Sequence, residues 1–85
     1  MRYAVVIEKG ARNYSAYLPD VPGCVATGKT VAQTMSNLHE ALEMHLEDMK
    51  KDGEPIPDPT TLCDYLEVDL SAVLPGSGRL SKRSA

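Results

Sequence analysis

Leu18-Pro19-Asp20-Val21-Pro22-Gly23-Cys24 decides how this chain folds. Two prolines bracket Asp20 and Val21, and a glycine closes the group. Proline fixes φ and donates no backbone N–H, so neither position can sit inside a sheet ladder. Gly23 accepts the positive φ that a tight reversal needs. Residues 19–23 therefore read as a rigid corner between two strands. The corner is also a candidate contact surface, because a loop held by prolines has already lost much of the freedom that binding would remove.

Toward the N-terminus the pattern is β. Arg2 to Glu8 is β-branched at its centre and apolar on both faces, as in a strand inside a sheet. Lys9 to Asn13 contains Gly10 and reads as a hairpin loop. Tyr14 to Leu18 forms the second strand, with Tyr14, Ala16 and Leu18 on one face and Ser15 and Tyr17 on the other. Beyond the corner, Cys24 to Gly28 is a short third strand.

Thr30 then opens a helix. Thr30 and Gln33 stand at capping-box spacing, the hydroxyl accepting from the N–H of Gln33 and the amide reaching back. Val31, Met35, Leu38, Leu42, Leu46 and Met49 form an apolar stripe at three-and-four spacing, while Glu40, Glu43 and Glu47 lie off its centre. Lys50 and Lys51 suit the negative end of the helix dipole, and Gly53 suits the residue after the cap. Glu54 to Pro59, with prolines at alternate positions, is expected to run extended and stiff. Asp64 to Leu70 alternates, Leu66, Val68 and Leu70 inward against Glu67 and Asp69 outward, and predicts a last strand.

The expectation is an α+β fold, β-β-β-α-β. It has a four-stranded mixed sheet of order 3-2-1-4, one long helix on one face, and a right-handed crossover into the last strand. Residues 1–70 form the domain. Residues 71–85, rich in Ser and Gly and carrying Arg79, Lys82 and Arg83 with no acid, form a flexible basic tail.

Composition bounds the function. An 85-residue chain without Phe or Trp has few large pieces for a core. Such a chain gains from completing its core across an interface, so a homodimer or tetramer is expected. Residues 1–70 carry twelve acids and six basic side chains, a balance of −6 that repels nucleic-acid phosphates and suits a basic protein partner. Nothing resembles a signal peptide, and no run approaches the roughly twenty apolar residues of a membrane span, so a cytoplasmic protein with no membrane contact is expected. In that compartment Cys24 and Cys63 are reduced thiols, and their spacing carries no zinc signature.

The corner, read together with Asp52-Gly53-Glu54-Pro55-Ile56-Pro57, strongly resembles the HicB-like antitoxin family over about residues 1 to 70. The resemblance implies a truncated ribonuclease-H-like fold and a function in a toxin-antitoxin system. A HicB-type protein binds a small basic HicA-type toxin that cleaves messenger RNA, and blocks it. Partner contact would then involve the corner, Pro19, Asp20, Val21, Pro22 and Gly23, and the acidic helix residues Glu40, Glu43 and Glu47. Many such antitoxins add a C-terminal DNA-binding module. Residues 71–85 are too few and too irregular for one, so no direct DNA binding is expected.

The competing chemistry is a metal-dependent nuclease. It would need carboxylates converging on divalent metals, here Glu8, Glu40 and Asp69. The middle of the first strand offers only Val5 and Val6, which leaves one corner of that site empty. No catalytic residue, metal ligand or cofactor is therefore expected. His39 and His45 are six positions apart on the helix and point in different directions. Cys24 reads as a small buried hydrophobe. A third reading is a solitary adaptor with another protein partner.

Overall fold

The computed structural model describes residues 1–73. Three short strands, β1 (Val6–Lys9), β2 (Tyr14–Tyr17) and β3 (Val25–Gly28), precede one helix, α1 (Val31–Lys51). A 3-10 turn follows at Leu70–Ala72. The sheet is an antiparallel meander in the order β1-β2-β3. Val6 pairs with Tyr17 and Lys9 with Tyr14, and the hairpin closes through Gly10 N–H to Asn13 O at 2.7 Å. The first strand starts later than the sequence predicts. Its partner runs out at Tyr17, because the corner turns the chain away one residue later and residues 2–5 are left without a ladder.

The corner is two successive turns. Val21 N–H donates to Leu18 O at 3.1 Å and Cys24 N–H donates to Val21 O at 3.2 Å. In the second turn Pro22 takes the position that wants φ near −60°, and Gly23 takes the one that wants positive φ, with φ of 86°. That is a type II turn. It aims Val21 and Cys24 into the core, where they are 1% and 3% exposed.

Helix α1 is stopped at both ends by its own chemistry. Thr30 is the N-cap and its hydroxyl accepts from Gln33 N–H at 3.0 Å. The Gln33 amide reaches back to the N–H of Lys29 rather than that of Thr30, at 2.8 Å. At the other end Gly53, with φ of 73°, lets Gly53 N–H meet Lys50 O and Glu54 N–H meet Met49 O. This pair of bonds is a Schellman cap.

The helix lies over β3 and β2 rather than β1. Its innermost residues are Leu38 and Thr34. Leu38 closes a core with Ala16, Leu18, Val21 and Cys24. Full burial of that leucine contributes about 2 kcal/mol. Thr34, wholly buried, was hidden in the sequence by its polarity. Its hydroxyl donates to Thr30 O at 2.7 Å, which removes the cost of burying it. Gly28 makes this approach possible, since a Cβ there would stand 2.7 Å from both the N and the Oγ1 of Thr34. Val31 and Met35, expected in the stripe, lie instead on a half-exposed flank.

The four-stranded sheet of order 3-2-1-4 is not what the structure shows. Among the described residues the sheet has three strands, and residues 64–69 join no ladder. The reason is where the returning chain arrives. Thr60 and Thr61 are tied to Asp20 at the corner, and Cys63 reaches the level of Val5, its Sγ 3.8 Å from Val5 O. Only the short β1 lies ahead of that point. The helix does not cover the β1 side, so Leu66, Val68 and Leu70 would gain little cover there. Locally, the Asp64 carboxylate takes the N–H of Tyr65 at 2.7 Å, which competes with pairing. The fold is therefore β-β-β-α followed by an extended strap and arm. Of the predicted basic tail, residues 74–85 lie outside the described residues.

Candidate interaction surface

Asp20 is the most heavily bonded side chain of the corner. Its carboxylate accepts from Thr60 N–H at 2.9 Å, Thr60 Oγ1 at 3.1 Å, Thr61 N–H at 2.9 Å and Thr61 Oγ1 at 2.7 Å. The Thr61 hydroxyl and N–H, supported by those of Thr60 and opposed by desolvation, hold the Asp20 carboxyl below its ordinary value of 3.8. The four bonds clasp the proline-rich strap, residues 54–61, to the corner. Tyr3 adds a second tie, its hydroxyl donating to Pro57 O at 2.6 Å. Neither threonine carries a local sequence signature for this role, because the partner lies 40 positions away.

The other predicted contact residues separate by exposure. Val21 is a core residue. Pro19 is half-buried, while Pro22 and Gly23 are exposed at the tip of the second turn. Glu40, Glu43 and Glu47 are all exposed on the outer side of α1. Among the described residues, their one close ion-pair geometry is His39 Nδ1 to Glu43 Oε1 at 3.8 Å, an exposed pair that adds little. The structure thus divides the predicted set between an acidic helix face and a mostly structural corner.

Two apolar regions were not singled out in the sequence. A groove of about 310 Å³ runs between the flank of α1 and the chain before β1. Met35, Leu38, Leu42 and Leu46 form one wall, and Tyr3 and Val5 the other. On the outer face of the sheet Val6, Tyr17 and Val25 stand in one row across the three strands, with Tyr17 and Val25 exposed. Both follow from the helix covering only part of a sheet that is apolar on both faces.

The remaining candidates have structural roles. Burial pushes the Cys24 thiol up, which disfavours the thiolate a nucleophile needs. Asp69 caps the 3-10 turn, accepting from the N–H and hydroxyl of Ser71 at 3.0 and 2.6 Å. Among the described residues no group of three or more His, Cys, Asp or Glu side chains is placed to hold a metal ion. Nor is any helix among them long and apolar enough to cross a membrane.

A meander under one helix, with an acidic outer face and open apolar flanks, defines a small binding module. The chain belongs to the HicB-like antitoxins of bacterial toxin-antitoxin systems, whose family model matches residues 3–70. Membership makes it an antitoxin rather than an enzyme. It is similar to a 14.9 kDa protein from the rep-hol intergenic region of Haemophilus phage HP1, at 38% identity over 66 residues. That match covers 78% of this chain and 50% of the phage protein, so the chain spans half the length of that relative. A UPF0150 protein of Thermoplasma acidophilum is 38% identical over 58 residues, covering 67% of this chain and 84% of that one. Among solved structures, a chain of a HicA3 and HicB3 toxin-antitoxin complex superimposes with a TM-score of 0.60 at 34% identity, over 69% of each chain.

Proposed function

We propose that this antitoxin holds a small basic HicA-like toxin by stoichiometric contact and covers the surface with which that toxin cleaves messenger RNA. The observation that carries this reading is the likeness, in sequence and fold together, to a chain from a complex of HicA3 with HicB3. The acidic balance of residues 1–70 supports a basic partner. Glu40, Glu43 and Glu47 are the side chains offered for charge contact. Pro22 and Gly23 form a rigid apolar tip beside them in the contact, while Pro19, Asp20 and Val21 hold that tip in place. The protein acts in the cytoplasm, where messenger RNA is met.

The test is co-expression with the basic protein of under about 100 residues, a typical single-domain size, that its neighbouring gene encodes. The expected result is a stable complex on size exclusion and loss of RNA cleavage at one equivalent of antitoxin. Undiminished cleavage at a several-fold excess of this protein overturns the reading.

A further inference from the structure

Beyond the Asp20 clasp the chain becomes an arm that the rest of the protomer leaves uncovered. Leu62 and Leu66 are each 95% exposed, Tyr65 94%, Leu70 76% and Val68 62%. Single exposed apolar side chains are ordinary on a protein surface, but a run of them marks a contact. In this extended stretch Leu62, Leu66 and Val68 share one face, and Tyr65, Glu67 and Asp69 share the other. Asp64, Glu67 and Asp69 give the arm acids, and residues 62–73 hold no base to balance them. The root of the arm is tied down, by the bonds from Thr60 and Thr61 to Asp20 and by Cys63 Sγ, 3.8 Å from Val5 O.

We infer that residues 62–70 are a second toxin-contacting element, with Leu62, Leu66 and Val68 laid along an apolar strip of the basic toxin and the acids of the arm turned to cations at the rim of that strip. The inference rests on the toxin-binding reading above. It assigns to that contact an apolar part, which Glu40, Glu43 and Glu47 cannot supply.

Charge selects the occupant. Residues 1–70 carry a balance of −6, so a second copy of this chain would bring an acidic body against an acidic arm. A basic protein turns the same charges into attraction. The make-up of the arm fits as well, because specific interfaces combine an apolar and aromatic centre with a polar rim. The clasp contributes by fixing one end. A segment anchored at its root loses less freedom on binding than one that is free along its whole length.

Hydrogen exchange on the full chain, alone and in complex with the basic protein that its neighbouring gene encodes, tests the inference. In the free protein the amides of Leu66, Glu67 and Val68 are expected to exchange at rates near those of an unstructured chain. In the complex they are expected to slow by about tenfold or more. The double variant Leu66→Asp, Val68→Asp is expected to keep the helical circular dichroism signal, since both side chains are exposed in the protomer. Its affinity for the toxin is expected to fall by about tenfold or more in titration calorimetry. The apolar swap Leu66→Met, Val68→Ile is expected to stay within about threefold of wild type. A complex in which the three amides still exchange fast, or an Asp variant that binds as wild type does, overturns the inference and leaves the toxin-binding reading standing. Slow exchange in the free protein also overturns it, because the arm is then covered without the toxin. Failure of the wild type to form any complex overturns both.

Discussion

Asp20 accepts hydrogen bonds from both the backbone N–H and the hydroxyl of Thr61, at 2.9 and 2.7 Å, across 41 positions of the chain. That relationship makes the proline-bracketed corner an anchor for the chain that returns from the helix. It also gives Asp20 and Val21 different duties although they are neighbours. One carboxylate points outward to hold the strap, and one isopropyl group points inward to fill the core.

The clasp makes part of the stability depend on acid. The folded Asp20 carboxyl titrates below 3.8, held there first by the Thr61 hydroxyl and N–H. A folded value below the unfolded one means that ionised Asp20 stabilises the protein above about pH 3.8, and that this contribution is lost as pH falls through the lower folded value. Urea midpoints measured from pH 7 to pH 2 are expected to fall more steeply for the wild type than for Asp20→Asn. Parallel curves for the two proteins would refute it.

Substitutions at the corner should separate anchoring from packing. Asp20→Ala is expected to leave the helix signal intact and to speed amide exchange at Thr60 and Thr61. Val21→Ala removes two buried methyl groups and is expected to cost about 2 kcal/mol of global stability. Equal loss of global stability in the two variants would contradict this division.

The contact between β3 and α1 allows a sharper pair. Gly28→Ala forces a methyl against the backbone N of Thr34, and overpacking of this kind costs about 1–3 kcal/mol. Thr34→Val keeps the shape and removes only the hydroxyl. Thr30 O keeps the N–H of residue 34 as a donor at 2.9 Å, so the change is expected to stay within about 1 kcal/mol. Denaturant unfolding of both variants checks the order.

Charge on the outer face of α1 should matter to a partner and not to the fold. Reversing Glu40, Glu43 and Glu47 together to Lys is expected to leave the Tm within a few degrees of wild type. Affinity for a basic toxin is expected to fall at least tenfold at low salt, with a weaker salt dependence. Unchanged affinity in titration calorimetry would remove this face from the contact.

Much of the fold was legible in local chemistry. The meander, the Thr30 cap, the Gly53 cap and the corner each follow from residues within a few positions of one another. The last strand was not. Asp64 to Leu70 alternates as a half-buried strand does, and alternation reports a wish for cover on one face without saying which surface supplies it. Thr34 escaped because polarity hides a satisfied core residue. The clasp escaped because its halves meet only after the helix has reversed the chain. At the candidate site, residue type identified Glu40, Glu43 and Glu47 as exposed, whereas the inward aim of Val21 depends on a turn geometry that no single residue states.

The strap has a consequence for the order in which the molecule comes together. Holding Thr60 against Asp20 closes a loop of 40 residues, and the entropy of closing it costs about 3 kcal/mol before any bond is made. The hairpins and the helix require no such closure, so they form first and the strap docks last. The same asymmetry runs in reverse in the native state. The strap opens first, and the amides of Thr60 and Thr61 exchange with solvent while the meander and Leu38 stay closed.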